Sequence, residues 1–158
     1  MKYKASVITV SDRAFSGEYT DRSGPAVKEL LEASGYIVDS MIIIPDEKNI
    51  IKDTLISESD RGSHLILTTG GTGFSPRDIT PEATRMVIER EAPGIAEYMR
   101  MKSAKQTPRA ILSRGISGIR GSSIIINLPG SPKGAAENLS FVLSPLAHAL
   151  EILNGATE

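Results

Sequence analysis

Four short runs of Val, Ile and Leu, each stopped by Gly, Pro, Ser or Asp, constrain this chain more than any other feature. They cover residues 5–10, 36–44, 64–69 and 122–128, and each has the length and branched-residue content of a strand. Their centres, Val7-Ile8, Ile42-Ile43-Ile44, Leu65-Ile66-Leu67 and Ile124-Ile125-Ile126, are apolar without alternation. Such runs bury both faces, as happens in parallel sheets covered by helices on either side.

Helix signals fill the gaps. Ser23-Gly24-Pro25 precedes Val27, Leu30 and Leu31, and Gly35 supplies a stop. Asp46 precedes Ile50, Ile51 and Leu55. Thr80-Pro81-Glu82 opens a helix presenting Val87 and Ile88. Ser131-Pro132 opens a long segment carrying Ala135, Leu139, Val142, Leu143, Leu146 and Leu150. Pro145 is expected to kink or divide that segment, because an interior proline costs about 3 kcal/mol. In the stretch 92–121, Ile95, Met99 and Met101 suggest a helix after Pro93-Gly94, and Ala110-Ile111-Leu112 a short one. Residues 113–121 read as a loop or a short edge hairpin. The repeated order of strand, loop and helix predicts right-handed βαβ units in the α/β class, with a mostly parallel sheet. At 158 residues the chain fits one domain, 1–158.

Composition removes several function classes. There is no cysteine, which excludes a disulfide scaffold and thiolate metal sites. His64 and His148 stand far apart, against a histidine-rich metal centre, and neither belongs to a readable catalytic arrangement. A net charge of -1 and the scarcity of aromatics, three Phe, four Tyr and no Trp, argue against a nucleic-acid partner. No apolar run reaches the roughly 20 residues of a membrane span. Met1-Lys2-Tyr3-Lys4-Ala5 leads straight into a strand without a signal peptide, so a cytoplasmic protein is expected.

The densest signal is the segment 67–84, in which a buried strand ends at Thr69-Gly70-Gly71-Thr72-Gly73 and continues through Phe74-Ser75-Pro76-Arg77-Asp78 into a helix start. Glycine admits positive φ and lets backbone N–H groups approach an anion, and successive N–H groups form an anion-binding nest. The segment is neither a Walker A loop nor a dinucleotide fingerprint, since it lacks both spacings. A second loop, Asn127-Leu128-Pro129-Gly130-Ser131-Pro132, repeats the logic: a buried strand meets a glycine turn, and a helix N-terminus offers free N–H groups to a phosphate. Alone, that loop reads more readily as a rigid turn with Ser131 as N-cap; two such loops at the same sheet edge favour a pocket.

Two acids stand at the carboxyl ends of strands. Asp46 follows Ile44-Pro45, and Asp78 lies inside the glycine-rich loop. Together they could hold Mg²⁺ against nucleotide phosphates, since Mg²⁺ takes one or two carboxylates plus water and phosphate oxygens. The alternatives are an N-cap role for Asp46, with a helix starting near Glu47, and a loop-stabilising role for Asp78. The first strand ends in Ser11-Asp12-Arg13 and a long polar loop with Gly17, Tyr19, Asp21 and Ser23, which reads as a pocket wall.

At these loops the chain resembles a known family. Residues 69–84 and 127–132 are similar to the two signature segments of the molybdenum-cofactor biosynthesis domain of MogA and MoaB proteins. Val10-Ser11-Asp12-Arg13-Ala14, with Gly17, Tyr19, Asp21, Ser23, Gly24 and Pro25, resembles the MogA branch. The resemblance implies a three-layer α/β/α sandwich, assembled as a homotrimer or, in MoaB-type members, sometimes a hexamer. It implies Mg²⁺-dependent transfer of AMP from ATP to molybdopterin with release of pyrophosphate, followed by metal insertion by a separate downstream protein. It assigns Asp46 and Asp78 as catalytic and metal-holding. Ser11, Asp12, Thr69, Gly70, Gly71, Thr72, Gly73, Pro129, Gly130 and Ser131 are then expected to bind nucleotide or pterin, with individual roles for Ser11 and Asp12 left open. A non-catalytic pterin-binding or delivery protein is the alternative, and a tungsten-directed pathway would use the same intermediate. Within 102–121 no signature maps.

Overall fold

The computed structural model describes residues 2–155. Six strands form one sheet in the order β2-β1-β3-β6-β5-β4. β1 (Lys4–Val10), β2 (Ile37–Ile44), β3 (Leu65–Thr69) and β6 (Ser123–Leu128) are mutually parallel, while at the far edge β5 (Ser117–Arg120) runs antiparallel to β6 and β4 (Arg90–Glu91) antiparallel to β5.

A short helix, α1 (Asp12–Phe15), follows β1, and strand alternation divides the core into two layers. Val7, Leu65, Leu67, Ile124 and Ile126 point to one side, against Val27 and Leu31 of α2 (Ser23–Ala33), Met99 of α5 (Pro93–Ala104) and Leu139, Val142, Leu146 and Leu150 of α6 (Pro132–Leu153). Their neighbours Ile8, Ile66 and Ile125 point to the other, against Ile51 and Leu55 of α3 (Lys48–Asp60) and Ala83 of α4 (Thr80–Arg85). The result is the three-layer α/β/α sandwich, and it explains why the β1, β3 and β6 runs are apolar at consecutive positions.

β2 departs from that expectation. It lies at the sheet's edge, and its burial alternates, with Ile37, Met41 and Ile43 each about two-fifths exposed. α4 ends at Arg85, and the buried Val87 and partly buried Ile88 follow it rather than riding on it. α6 runs unbroken for 22 residues through Pro145. Residues Val142, Leu146 and Leu150 stay packed on the sheet on both sides of the proline, so tertiary burial outweighs the lost backbone bond. Residues 110–112 belong to a 3₁₀ turn, Pro108–Leu112. The segment 113–121 contains β5, which forms a hairpin with β6 through Gly121, at φ +53°. β4, too short for any periodic signal, adds beyond it. No helix among the described residues is long and apolar enough to cross a membrane.

Candidate active site

From β1 the chain first places β2 on one side and then β3 on the other. The carboxyl ends of β1 and β3 therefore flank a crevice where the winding reverses, the usual ligand position in open α/β sheets. A cleft of about 220 Å³ opens there, lined by Thr9, Val10, Ser11, Tyr19, Ser23, Asp46, Thr69, Gly70, Gly71, Asp78 and Gly130.

Two glycines on its floor are required by geometry. Gly70 has φ +94°, and an added Cβ would overlap the Val10 carbonyl oxygen. Gly71 has φ +68°, and its Cβ would overlap Thr80 Oγ1 and come within 3.1 Å of Asp46 Oδ1. Backbone is thus pressed against both the neighbouring strand and the acid, leaving no room for side chains between strand end and ligand space. Gly130 comes over the same point from the β6 side, where its own Cβ would sit 3.3 Å from Gly70 Cα. Thr80 Oγ1 is fully buried and has no hydrogen-bond partner among the described residues.

The acids are tied together. The Asp12 N–H donates to Asp46 Oδ2 at 2.9 Å, and the Asp46 N–H donates to Asp12 Oδ1 at 3.0 Å. Arg77 grips the Asp12 carboxylate with two bonds, from Nε at 2.6 Å and Nη2 at 3.0 Å. Those bonds hold the Asp12 carboxyl below its ordinary range. Asp46 goes the other way. Burial raises its proton affinity, and the charges of Asp12 and Asp78 add to that, although the Asp12 N–H bond opposes it. Asp46 is not the N-cap of α3; that position is Glu47, which makes no side-chain cap. Asp78 Oδ2 accepts the Ser75 N–H at 2.9 Å, so it also stabilises its own loop.

Among the described residues no three Asp, Glu, His or Cys side chains gather as a self-sufficient metal cage. Asp46 and Asp78 do present two carboxylates to one cleft, and their mutual repulsion is what a cation would relieve. This donor set fits Mg²⁺ completed by phosphate oxygens and water, and does not fit an all-protein site.

The loop after β1 forms the wall. Asp21 accepts from Thr9 Oγ1 at 2.8 Å and, through Oδ1, from the N–H groups of Ser23 and Gly24, which pins the start of α2. Ser23 Oγ and Thr69 Oγ1 lie 3.0 Å apart, joining that wall to β3. Tyr19 lines the cleft, with the Arg13 guanidinium 5.6 Å from its ring centre.

A second cavity, of about 400 Å³, adjoins the first across the loop 129–131. Its lining includes Pro129, Ser131, Lys133, Arg109, Asn138 and Ser103. Ser131 Oγ accepts the Gly134 N–H at 3.0 Å, capping α6 as a plain N-cap would. Ser103 Oγ is buried with no hydrogen-bond partner among the described residues.

Of the expected residues, Ser11, Asp46, Thr69, Gly70, Gly71, Asp78 and Gly130 line the first cleft, and Pro129 and Ser131 the second. Asp12 reaches the first cleft through its bonds to Asp46. Thr72 is buried beside it, and Gly73 backs Asp78, whose Oδ2 lies 2.9 Å from the position of a Gly73 Cβ. Sequence reasoning missed Arg77 as the partner of Asp12, and missed Arg114 altogether. Arg77 stands within the glycine-rich motif and could have been paired with an acid; nothing in the sequence marks Arg114.

Comparison with known proteins places this geometry among relatives. A family model described as "Probable molybdopterin binding domain" matches residues 6–149. A Helicobacter pylori protein named molybdopterin adenylyltransferase is 44% identical over 154 residues, covering 94% of this chain and 86% of the relative. The Drosophila melanogaster molybdenum cofactor synthesis protein cinnamon is 43% identical over 93% of this chain, which spans only 25% of that longer protein. The crystal structure of the molybdopterin biosynthesis enzyme MoaB from Thermus thermophilus superposes with a TM-score of 0.92 at 48% identity, covering 98% of both chains.

Proposed function

The chain belongs to the family of the probable molybdopterin binding domain, and from that membership we propose that it is a molybdopterin adenylyltransferase of molybdenum cofactor biosynthesis. It would transfer AMP from ATP to the terminal phosphate of molybdopterin and release pyrophosphate. The observation that carries this reading is the meeting of Asp46, Asp78 and the glycine floor in one cleft at the switch point, beside a larger cavity that shares the loop 129–131. Two spaces lined by one loop suit two substrates. The relatives named for this activity, at 44% identity over most of the chain, support it.

The reaction needs no side-chain nucleophile. An oxygen of the pterin phosphate bonds to the α-phosphorus of ATP, while the bond from that phosphorus to the pyrophosphate oxygen breaks and pyrophosphate leaves with the electron pair. The chain's contribution is positioning and charge placement. Backbone N–H groups of Gly71 and Gly73, with Thr69 and Thr72, would hold the nucleotide phosphates over the floor formed by Gly70, whose own N–H is donated to the Leu128 carbonyl at 3.1 Å. Gly130 and the capped start of α6 would anchor the pterin phosphate, with Pro129 and Ser131 leading into the cavity that has room for the fused rings. Ser11 and Asp12 would shape the wall, Asp12 by fixing Asp46. Asp46 and Asp78 would hold Mg²⁺, which when bound neutralises phosphate charge and stabilises the leaving pyrophosphate.

The proposal extends to a cytoplasmic homotrimer or hexamer that passes the adenylated pterin to a metal-insertion protein; light scattering reads the assembly. The activity is tested by measuring pyrophosphate release from ATP and Mg²⁺ with and without molybdopterin. Release that requires the pterin supports the enzyme. Tight pterin binding with no pyrophosphate replaces it with the carrier reading.

A further inference from the structure

The ten residues from Gly70 to Ile79 make few bonds of their own. Within the loop the Asp78 N–H donates to the Ser75 carbonyl at 2.9 Å and the Ser75 N–H to Asp78 Oδ2 at 2.9 Å, and at its end the Thr80 N–H donates to the Gly71 carbonyl at 3.1 Å. What fixes the middle comes from elsewhere in the chain. The Arg114 N–H donates to the Thr72 carbonyl at 2.8 Å. Its side chain then spreads over three acceptors: Nε to the Gly73 carbonyl at 2.8 Å, Nη2 to the Asp78 carbonyl at 2.7 Å, and Nη1 to Glu82 Oε2 at 2.7 Å. The middle of the loop at Gly73, its far end at Asp78 and the first turn of α4 hang from one guanidinium.

Arg114 is itself anchored. Arg100 of α5 donates through Nη1 to the Ser113 carbonyl at 3.3 Å and the Gly115 carbonyl at 2.6 Å, holding the peptide units on either side. The Arg114 side chain is about one-third exposed and does not line the cleft, so it does not touch what the cleft would hold.

We propose that Arg114 is a positioning residue for the reaction, setting the separation of Gly73 and Asp78 and thereby the aim of the Asp78 carboxylate. The inference rests on the adenylyltransferase reading of the cleft. Only a planar fork with divergent N–H groups reaches two carbonyls and a carboxylate together; a lysine ammonium on a flexible stem cannot. A displacement of about 1 Å in such a loop costs on the order of 10²-fold in rate.

The test compares Arg114→Lys and Arg114→Ala with wild type in two measurements. The first is backbone amide exchange. Both variants should exchange faster within 72–79, with β1, β3 and β6 still protected. The second is steady-state pyrophosphate release with ATP, Mg²⁺ and molybdopterin. Both should lose on the order of 10-fold or more in kcat/KM for ATP and need more Mg²⁺ for half-maximal rate, with the pterin KM unchanged. Guanidinium ion at sub-denaturing concentration should partly restore Arg114→Ala and leave Arg114→Lys unrestored. A merely structural arginine would lower the melting temperature and the active fraction, with KM and the Mg²⁺ midpoint unmoved; that result overturns the inference, as does unchanged exchange in 72–79. A wild-type protein that releases no pyrophosphate overturns the adenylyltransferase reading, while the exchange measurement still decides whether Arg114 holds the loop.

Discussion

Gly71 offers a quantitative test of the glycine floor, because Gly62 supplies its control. Both have positive φ, +68° and +94°. A Cβ at Gly62 meets nothing within 4 Å, whereas at Gly71 it overlaps Thr80 Oγ1 and approaches Asp46 Oδ1 to 3.1 Å. Alanine in left-handed backbone costs about 1–2 kcal/mol, and this is all Gly62→Ala should lose. Gly71→Ala adds overpacking against a fully buried threonine, about 1–3 kcal/mol more. The expected totals are about 1–2 and about 2–5 kcal/mol. Urea denaturation by linear extrapolation measures both, and each kcal/mol corresponds to roughly 2–4 °C in melting temperature for a chain of this size. Nucleotide binding should fail only in Gly71→Ala, since the new methyl displaces Asp46. Equal losses in the two variants would refute the close-approach argument.

Two further predictions come from the charges. Glu58 is 5% exposed; burial alone would raise its carboxyl, but bonds from Ser6 Oγ at 2.6 Å and from Arg61 outweigh that and hold it below its ordinary 4.5. Arg61 likewise holds Asp39 below 3.8. Lowered carboxyls stabilise the fold above their unfolded values and lose that contribution as pH falls through the folded ones, so a melting curve followed by pH should decline from about 4.5 downward. Ser6→Ala should cost about 2 kcal/mol at neutral pH; a neutral result there contradicts the buried network. Asp46 carries the opposite sign: its raised carboxyl favours the protonated form, so ionisation at neutral pH opposes folding. Asp46→Asn should therefore melt higher than wild type without ligand at neutral pH, with the difference vanishing in acid, and Mg²⁺ with ATP should stabilise wild type alone; calorimetry decides both.

The sheet was legible where strands are interior. β1, β3 and β6 are buried at nearly every position, and their consecutive apolar centres say so. β2 carries the same kind of run at an edge, and periodicity cannot tell a residue facing a helix from Ile43 facing outward. Pro145 carries a local cost that is visible in sequence, whereas the burial of Leu146 and Leu150 that holds α6 together is not. β4 has two residues, both exposed, and leaves no pattern to find. In the site, the glycines, Asp46 and Asp78 stand in compact motifs whose chemistry can be read from residue type. Arg114 could not be read, because it acts on main-chain carbonyls 41 and 36 positions away, and a carbonyl leaves no mark on sequence.

The central claim is that Asp78 and the glycine floor form an adenylyl-transfer site, and the most direct measurement is pterin-dependent pyrophosphate release by wild type and Asp78→Asn side by side. The account predicts release by wild type only when molybdopterin, ATP and Mg²⁺ are all present, and a loss on the order of 10²-fold or more in the variant, with its melting temperature close to wild type. Equal turnover by a folded Asp78→Asn protein would contradict it.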